Sequence, residues 1–346
     1  MNTPADVQPT LSVVMPNRNH AALLPRSLGA LARQTRPPDE IIVVDDASTD
    51  DSRAVIRGFM ARLPQLRLIE NPERLGVVGA LNRGLREARE QTIYCAAADD
   101  ASDPELVATL LDGMAAHPTA ALACAEARLI SDDGAFLGFR PITLPRRRAG
   151  YVSPAEAARM LARLDNWVLS VVTVYRRDLV MAAGGFDPRL GALCDSFLAR
   201  VLALEHGFVF VPRVLGTWNV QPASVSRSAS TDPAVVEEMV RAGSDRIAAD
   251  GGRVFPPGYG PVFCRRLRFA AARLAVEAPR FEPARVAALA GVSPRVVEPL
   301  ARLPPRLRRL AALGWLAFRL RPMAPLPLLA SAAIRMTRGK ALRRPG

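Results

Sequence analysis

The sequence predicts an α/β fold: a Rossmann-like sheet, mixed but mainly parallel, that is flanked by helices and followed by a helical extension. Short continuous apolar runs such as Ile41–Val44 are typical of strands buried on both faces of a parallel sheet. Between these runs, apolar residues such as Leu24, Leu28 and Leu31 recur at helical spacing. Strands that alternate with helices in this way favour a doubly wound α/β domain.

The individual elements follow from the same patterns. The apolar runs predict strands at Leu11–Met15, Ile41–Val44, Leu66–Ile69, Ala120–Ala125 and Val209–Val214, with a further strand that begins at Ile93. The apolar periodicity predicts helices over about 23–34, 51–63 and 103–116, a helix that ends near Arg89, and a wholly helical pattern after Asp232. A chain of 346 residues is long enough for two domains. We expect a first domain over residues 8–228 and a basic, helical extension over residues 229–346.

Two of the predicted strands end in a pair of adjacent carboxylates. Asp45 and Asp46 follow Ile41–Val44, and Asp99 and Asp100 follow the strand that begins at Ile93. In an open α/β sheet the carboxyl ends of the strands form the edge that binds ligands. Carboxylates that converge there repel one another unless a cation or hydrogen-bond donors lie among them, and Mg²⁺ or Mn²⁺ with substrate phosphates suits such a cluster. The alternative for any single aspartate is that it caps the next helix.

The positive charge is concentrated at the end of the chain. The formal net charge is +13, and no acidic residue follows Glu298. This distribution favours a basic tail that meets an anionic surface. It does not indicate nucleic-acid binding, because zinc-finger spacing, a basic zipper and an aromatic RNA-binding signature are absent from the sequence. The loop after the first strand also lacks the glycine motifs of dinucleotide-binding and P-loop proteins.

The cysteines and the apolar runs predict a cytoplasmic protein. The four cysteines lie far apart, and none belongs to a CxxC motif, which favours a reduced protein without disulfides or a zinc knot. The first residues show no basic segment followed by an apolar one, so we expect no signal peptide. No uncharged apolar run approaches the ~20 residues that a membrane-spanning helix needs.

Three segments, in this order and spacing, carry a family resemblance. They are SVVMPNRNHAALLPRSLGALARQTRPPDEIIVVDDASTDDS (Ser12–Ser52), NPERLGVVGALNRGLREA (Asn71–Ala88) and YCAAADDASDPEL (Tyr94–Leu106). The chain resembles the family 2 glycosyltransferases of the GT-A fold, and the likeness continues more weakly through Val174–Ala203. The resemblance implies an inverting enzyme that moves a sugar from a nucleoside-diphosphate donor to a hydroxyl of a saccharide or lipid-linked acceptor.

The same resemblance assigns the donor site. It places nucleotide contacts at Pro16, Asn17, Asp46, Arg74 and Asp99. Asp99 and Asp100 occupy the metal-and-ribose DxD position, with Asp100 as the direct ligand of Mn²⁺ or Mg²⁺. Many relatives carry a further aspartate two residues before this pair, where this chain has Ala97.

On the acceptor side, the resemblance makes Asp195 the general base, although an N-cap is the alternative for an aspartate at a helix start. Cys194 stands where relatives usually have another acid. Trp167 and Trp218 are candidates for contact with the acceptor, and ordinary core packing is the alternative for Trp167. In the loop where relatives often have an arginine and a histidine, this chain has Asn219 and Gln221.

Two further hypotheses belong to other classes of function. Ala97, Cys194 and Gln221 favour a degenerate module that binds nucleotide or glycan without transfer. A signalling domain with a phosphoacceptor aspartate is disfavoured by the long extension and the second carboxylate pair. The tail over 307–346 borders apolar residues with arginines, which suits peripheral contact with an anionic membrane. Packing on the first domain or an oligomer contact is the alternative for this tail.

Overall fold

The computed structural model describes residues 8–163, 168, 170–221, 229–322, 330–331, 333–334 and 336. The chain divides into two compact units. The first unit lies within Met1–Ala157, Asn166–Pro188 and Cys194–Val220, and the second within Ala158–Asp165, Arg189–Leu193 and Gln221–Gly346. Residues 222–228, which precede the predicted domain boundary, lie outside the described residues, so the boundary at 228 stays a prediction. Trp167 also lies outside the described residues.

The described residues of the first unit form one ten-stranded sheet. Its strands are β1 (Leu11–Asn17), β2 (Glu40–Asp45), β3 (Leu66–Glu70), β4 (Thr92–Cys95), β5 (Ala101–Ser102), β6 (Leu122–Ser131), β7 (Phe136–Arg140), β8 (Gly150–Val152), β9 (Thr173–Arg176) and β10 (Phe208–Val220). The order is β3-β2-β1-β4-β9-β6-β10-β5, with β7 paired to β6 and β8 paired to β10. The four strands from β3 to β4 are parallel, and so are β6 and β10. The predicted mixed α/β fold is therefore confirmed.

Helices alternate with these strands along the chain, and the fifth helix is divided between the two units. They are α1 (Leu24–Ala32), α2 (Ser52–Phe59), α3 (Gly76–Glu87), α4 (Leu106–Ala116), α5 (Pro154–Arg163), α6 (Arg177–Ala182) and α7 (Cys194–His206). Leu28 of α1 and Leu110 of α4 belong to one apolar core with Val13 and Val43 of the central strands. These four side chains are wholly buried, because the strands are apolar on both faces and each helix presents its apolar stripe to them.

Strand β1 extends two residues beyond its predicted end. Pro16 continues the strand although a proline has no N–H to donate. The ladder with β4 ends at the pair Val14–Cys95, so Pro16 lies beyond the last of those hydrogen bonds. The extension brings Asn17 opposite Asp45, at the carboxyl ends of β1 and β2. These two loops are thereby held side by side.

Strand β9 is the main feature that the sequence did not predict. Its four residues are antiparallel to β4 on one side and to β6 on the other, and they join the parallel half of the sheet to β6 and β10. A strand this short gives no measurable alternation of apolar and polar residues. Helix α4 also begins later than predicted, because Asp103 and Pro104 form a turn in which the Leu106 N–H donates to the Asp103 carbonyl at 3.0 Å.

The second unit is helical in its described part, as the pattern after Asp232 predicts. It contains α8 (Pro233–Ala249), α9 (Tyr259–Val276), α10 (Pro283–Ala290), α11 (Pro294–Val297) and α12 (Pro305–Leu320). Helix α9 packs against α8, α10 and α12. Across the described ranges, no helix is both long enough and apolar enough to cross a bilayer.

A close approach of α3 to the sheet gives a test of this packing. A Cβ added at Gly84 would lie 2.4 Å from Cγ1 of Val14 and 3.1 Å from Cγ2 of Val44. We expect Gly84→Ala to lower the free energy of unfolding by about 1–3 kcal/mol, because the core must shift to admit the methyl group. Thermal and urea unfolding measure the change.

Gly58 in α2 is the matched control, since a Cβ there meets nothing within 4 Å. Gly58→Ala should raise stability by about 0.5–1 kcal/mol, as expected for alanine in place of glycine within a helix. Equal stability of Gly84→Ala and the wild type would contradict the packing of α3 on β1 and β2.

Candidate active site

Asp46 joins the end of β2 to the start of α3. Its carboxylate is 3% exposed. Oδ1 accepts hydrogen bonds from Nδ2 of Asn71 at 2.8 Å and from the N–H of Leu75 at 2.8 Å, and Oδ2 accepts one from the N–H of Gly76 at 2.9 Å. A negative charge that accepts N–H groups at a helix N-terminus is favourable. Asp46 therefore caps α3 and not α2, the helix that follows it directly in the sequence.

Asp45, its neighbour, is held entirely within the protein. Its carboxylate accepts hydrogen bonds from Nδ2 of Asn17 at 2.9 Å, from the N–H of Ser48 at 3.1 Å and from Nε of Arg53 at 2.9 Å. Burial acts to raise the pKa of Asp45, but the hydrogen bonds from Ser48, Arg53 and Asn17 outweigh it and lower that pKa. This paired carboxylate fixes the loop and is satisfied without a ligand.

The loop after β1 is tied to the loop after β2. The N–H of Asp46 donates to the carbonyl of Asn17 at 2.8 Å. Arg18 donates through Nη1 to the carbonyls of Asp46 and Ala47 at 2.7 and 2.9 Å. Pro16 is half-buried beside Asn17, and Arg74 is exposed in the turn before α3. The structure thus brings Pro16, Asn17 and Asp46 to one edge of the sheet.

The second carboxylate pair lies in the loop after β4. Asp100 is 8% exposed, and its Oδ1 accepts a hydrogen bond from the N–H of Asn219 at 2.9 Å. The side-chain amide of Asn219 donates to the carbonyl of Asp99, so one residue of β10 holds both members of the pair. A cavity of ≈ 10 Å³, room for about one water molecule, is lined by Asp100 and Ala97.

The environment of Asp100 favours a bound cation. Burial, and then the charge of Asp99, raise the pKa of Asp100 well above the usual range, against the opposing effects of the Asn219 N–H and of Arg26. No described residue donates a hydrogen bond to its second oxygen. No group of three or more His, Cys, Asp or Glu side chains that could hold a metal occurs in the described part of the chain. Two carboxylates completed by phosphate oxygens and water still match what Mg²⁺ uses in nucleotide enzymes.

Asp195 lies in the first turn of α7. The hydroxyl of Ser170 donates to Oδ2, and the N–H of Ser196 donates to Oδ1 at 2.5 Å. Burial raises the pKa of Asp195 above its usual value, although both hydrogen bonds and the charge of Arg200 act to lower it. In turn, the charge of Asp195 adds to the burial that raises the pKa of the Cys95 thiol. The hydroxyl of Tyr94 in β4 donates to the carbonyl of Val171 at 2.9 Å, and Ser170, the residue before Val171, contacts Asp195. Asp195 is thereby linked to β4, the strand that leads to Asp99 and Asp100.

The predicted acceptor contacts are Trp218 and Trp167. Trp218 lies on β10 next to Asn219, is half-buried and packs against the apolar core. Trp167 lies outside the described residues. Sequence reasoning missed the partners that position the site, namely Asn71 for Asp46, Arg53 for Asp45 and Ser170 for Asp195. Asn71 and Ser170 each lie 25 residues from the aspartate they contact, so the sequence gives no sign of these pairings; Arg53 is eight residues from Asp45, in the first turn of α2.

Comparison with solved structures identifies the class of fold. The mannosyltransferase PcManGT from Pyrobaculum calidifontis, in complex with GDP-Man and Mn²⁺, matches with a TM-score of 0.57 and 22% identity. The match covers 95% of this chain and 87% of that chain. The first unit is thus a GT-A glycosyltransferase fold, as predicted.

The sequence comparison identifies the family. The model described as Glycosyl transferase family 2 matches residues 12–154. The uncharacterized protein MT1568 of Mycobacterium tuberculosis (strain CDC 1551 / Oshkosh) is 32% identical over 214 residues, which are 60% of this chain and 66% of that protein. Validoxylamine A glucosyltransferase of Streptomyces hygroscopicus subsp. limoneus is 45% identical over 82 residues, 23% of this chain and 18% of that protein. The chain spans less than two thirds of the length of these relatives. Residues 12–154 thus carry a family 2 glycosyltransferase domain.

The raised pKa of Asp100 predicts that its ionised carboxylate lowers the stability of the ligand-free protein. The pKa of Asp100 is higher in the folded than in the unfolded protein, so stability is lost as the pH rises toward that raised value. We expect Asp100→Asn to stabilise the ligand-free protein by about 1 kcal/mol or more at pH 8, and by less at pH 4.5. Thermal unfolding without metal or nucleotide measures this difference.

Asp132→Asn serves as the control, because Asp132 is exposed in a turn. It should unfold like the wild type at both pH values. Destabilisation by Asp100→Asn at pH 8 would show that the ionised carboxylate is already compensated in the free protein.

Proposed function

We propose that this chain is an inverting glycosyltransferase that moves a sugar from a nucleoside-diphosphate donor to a hydroxyl of a saccharide or lipid-linked acceptor. The main support is the place of Asp195 within a family 2 domain: Asp195 contacts Ser170, and the next residue, Val171, accepts a hydrogen bond from Tyr94 of β4, the strand that leads to the Asp99–Asp100 pair. Donor and acceptor carboxylates at one edge of the sheet are what a direct displacement requires.

On the donor side, Asp99 and Asp100 hold the diphosphate through Mn²⁺ or Mg²⁺. Support comes from the buried, under-compensated carboxylate of Asp100 and from the Mn²⁺ in the PcManGT complex. A divalent ion bound there would neutralise negative charge on the departing nucleoside diphosphate. Asn219 holds the pair in place by donating to the Asp100 carboxylate and to the Asp99 carbonyl.

The nucleotide itself contacts Pro16, Asn17, Asp46, Arg74 and Asp99 in this proposal. A carboxylate offers about four acceptor positions. Three of the positions on Asp46 are taken by Asn71, Leu75 and Gly76. One position is left for a donor on the base or the ribose. Arg74, exposed at the start of α3, is free to approach a phosphate or sugar from solvent.

On the acceptor side, Asp195 is the general base. It accepts the proton of the attacking hydroxyl while that oxygen bonds to the anomeric carbon and the bond to the diphosphate breaks. Burial, by raising the pKa of Asp195, makes the carboxylate a stronger proton acceptor. Ser170 orients it through the hydroxyl hydrogen bond. Trp218 and Trp167 remain proposed contacts for the acceptor.

A module that binds nucleotide or glycan without transfer is the second candidate. Cys194 replaces the neighbouring acid, and burial raises the pKa of its thiol, so it offers no second base. Ala97 and Gln221 remove two side chains that could support the metal. The position of Asp195 favours the enzyme over this module.

A cytoplasmic location, with peripheral contact to an anionic membrane through residues 307–346, completes the proposal. All four cysteines of the sequence are free in the structure. All charged side chains after Glu298 are basic, which supports attraction to an anionic surface.

Nucleotide binding tests the donor site. Calorimetry with UDP, GDP and dTDP, each with and without Mn²⁺, should show metal-dependent binding of one nucleotide. We expect Asp100→Ala to weaken that binding at least about 10-fold, because the proposed ligand of the ion is lost. Chelation with EDTA should have the same effect on the wild type.

Asp132→Ala, a change at an exposed aspartate, should leave this binding unchanged. Equal binding with and without the metal would overturn the proposed role of Asp100. Absence of binding for every nucleotide, in a folded protein, would overturn the donor site itself.

The general base has its own test. Asp195→Asn should lower kcat by about 10²–10⁴-fold while nucleotide binding stays unchanged. In the wild type, kcat/KM should rise with pH through a pKa above that of an ordinary aspartate, because burial raises the pKa of Asp195. Ser170→Ala should move this acid limb to higher pH, since the hydrogen bond from Ser170 lowers that pKa.

Asp178→Asn is the matched control, because Asp178 is exposed in the first turn of α6. A rate for Asp195→Asn within a few fold of the wild type would assign the proton transfer to another group.

A further inference from the structure

Helix α12 of the second unit has two apolar stripes on opposite sides. One stripe is buried and consists of Ala312, Leu316 and Leu320. The other consists of Leu307, Leu310 and Phe318, which are 57%, 69% and 73% exposed. At 3.6 residues per turn, these three residues fall on one line along the helix, about opposite the buried stripe. We call them the exposed stripe.

The orientation of the helix is fixed, so the exposed stripe is not free to turn inward. Arg266 of α9 is buried and donates through Nε to the carbonyl of Pro322, two residues after α12, at 2.6 Å. The guanidinium of Arg308 lies over the ring of Phe281, 5.0 Å from its centroid. These contacts, with the buried stripe, hold α12 against the rest of the second unit.

Arginines border the exposed stripe. Arg306 is exposed and, by helical spacing, lies about 40° from Leu310 on one side of the stripe; Arg319 is exposed about 100° from Phe318 on the other side. Arg321 follows the helix and places its guanidinium 5.8 Å from the centroid of Phe318. No acidic residue occurs in α12 or anywhere after Glu298. The surface therefore combines apolar side chains with a charge of a single sign.

We propose that this face of α12 binds the surface of an anionic membrane, with Leu307, Leu310 and Phe318 inserted at the level of the acyl chains and the arginines among the headgroups. A helix that lies in the interface needs such an apolar stripe with flanking cations. Basic residues near anionic lipid add attraction that acts within a Debye length. A second protein copy would present the same arginines to one another, which disfavours self-association through this face.

Vesicle sedimentation with the full chain tests this surface. The protein should pellet with phosphatidylcholine vesicles that contain about one third phosphatidylglycerol, and far less with phosphatidylcholine alone. The double variant Leu310→Ser/Phe318→Ser should lower the partition coefficient at least about 10-fold, since both side chains then lose their burial in lipid. Arg306→Gln/Arg319→Gln should lower it by about 10-fold or more on anionic vesicles only.

A variant that should strengthen vesicle binding controls for the possibility that the other variants bind less because they fold less well. Gly314 lies between Leu310 and Phe318 along the stripe, and a Cβ added there meets nothing within 4 Å. Gly314→Leu should raise the partition coefficient by about 10-fold. The matched control is Phe136→Ser in β7, a phenylalanine that is 59% exposed, which should bind vesicles like the wild type.

Two outcomes would overturn the proposal. One is that the protein does not pellet with anionic vesicles, or that Leu310→Ser/Phe318→Ser pellets with them as the wild type does. The other is self-association in sedimentation velocity that the double variant abolishes, without vesicle binding, which would make the stripe a contact between copies. These measurements use no nucleotide, so their failure is distinguishable from failure of the proposed transfer reaction.

Discussion

The carboxylate of Asp46 is the interaction on which the donor edge depends. It is buried, it lies at the end of β2, and it accepts hydrogen bonds from the N–H groups of Leu75 and Gly76 at the start of α3. The helix is thereby placed so that Gly84 meets the sheet at close range. Asp45 next to it holds Arg53 and Asn17 in the same way. Hydrogen bonds within the protein thus hold this edge of the sheet without a ligand, and preorganisation of this kind lowers the free-energy cost of binding.

The pKa values of Asp45 and Asp100, one residue from each carboxylate pair, are shifted in opposite directions. Asp45 is compensated by hydrogen bonds, and its pKa is lowered. Asp100 is buried with little compensation, and its pKa is raised. Both pairs follow buried strands in the sequence, so the same pattern leads to two different environments. A raised pKa is common among carboxyl groups that act on a ligand, which supports the roles proposed for Asp100 and Asp195, whereas the hydrogen bonds of Asp45 stabilise the loop.

The sequence predicted the parallel half of the fold because its strands are buried on both faces and leave continuous apolar runs, such as Ile41–Val44. It could not predict β9, whose place between β4 and β6 depends on tertiary pairing. The candidate site aspartates were predicted from their position after strands or at a helix start, and their roles stay predictions. Their partners were not, because Asn71, Ser170 and Asn219 reach them from segments 25 or more residues away.

The N-terminus of α3 shows why a single aspartate was hard to assign from the sequence. The two alternatives for Asp46, ligand contact and helix cap, need the same oxygen atoms, and capping uses three acceptor positions of about four. Asp195 likewise bonds to the Ser196 N–H at the start of α7 while its pKa is raised by burial. Capping by Asp46 is therefore compatible with the proposed nucleotide contact, because the N-terminus of α3 fixes the carboxylate in place and leaves one acceptor position.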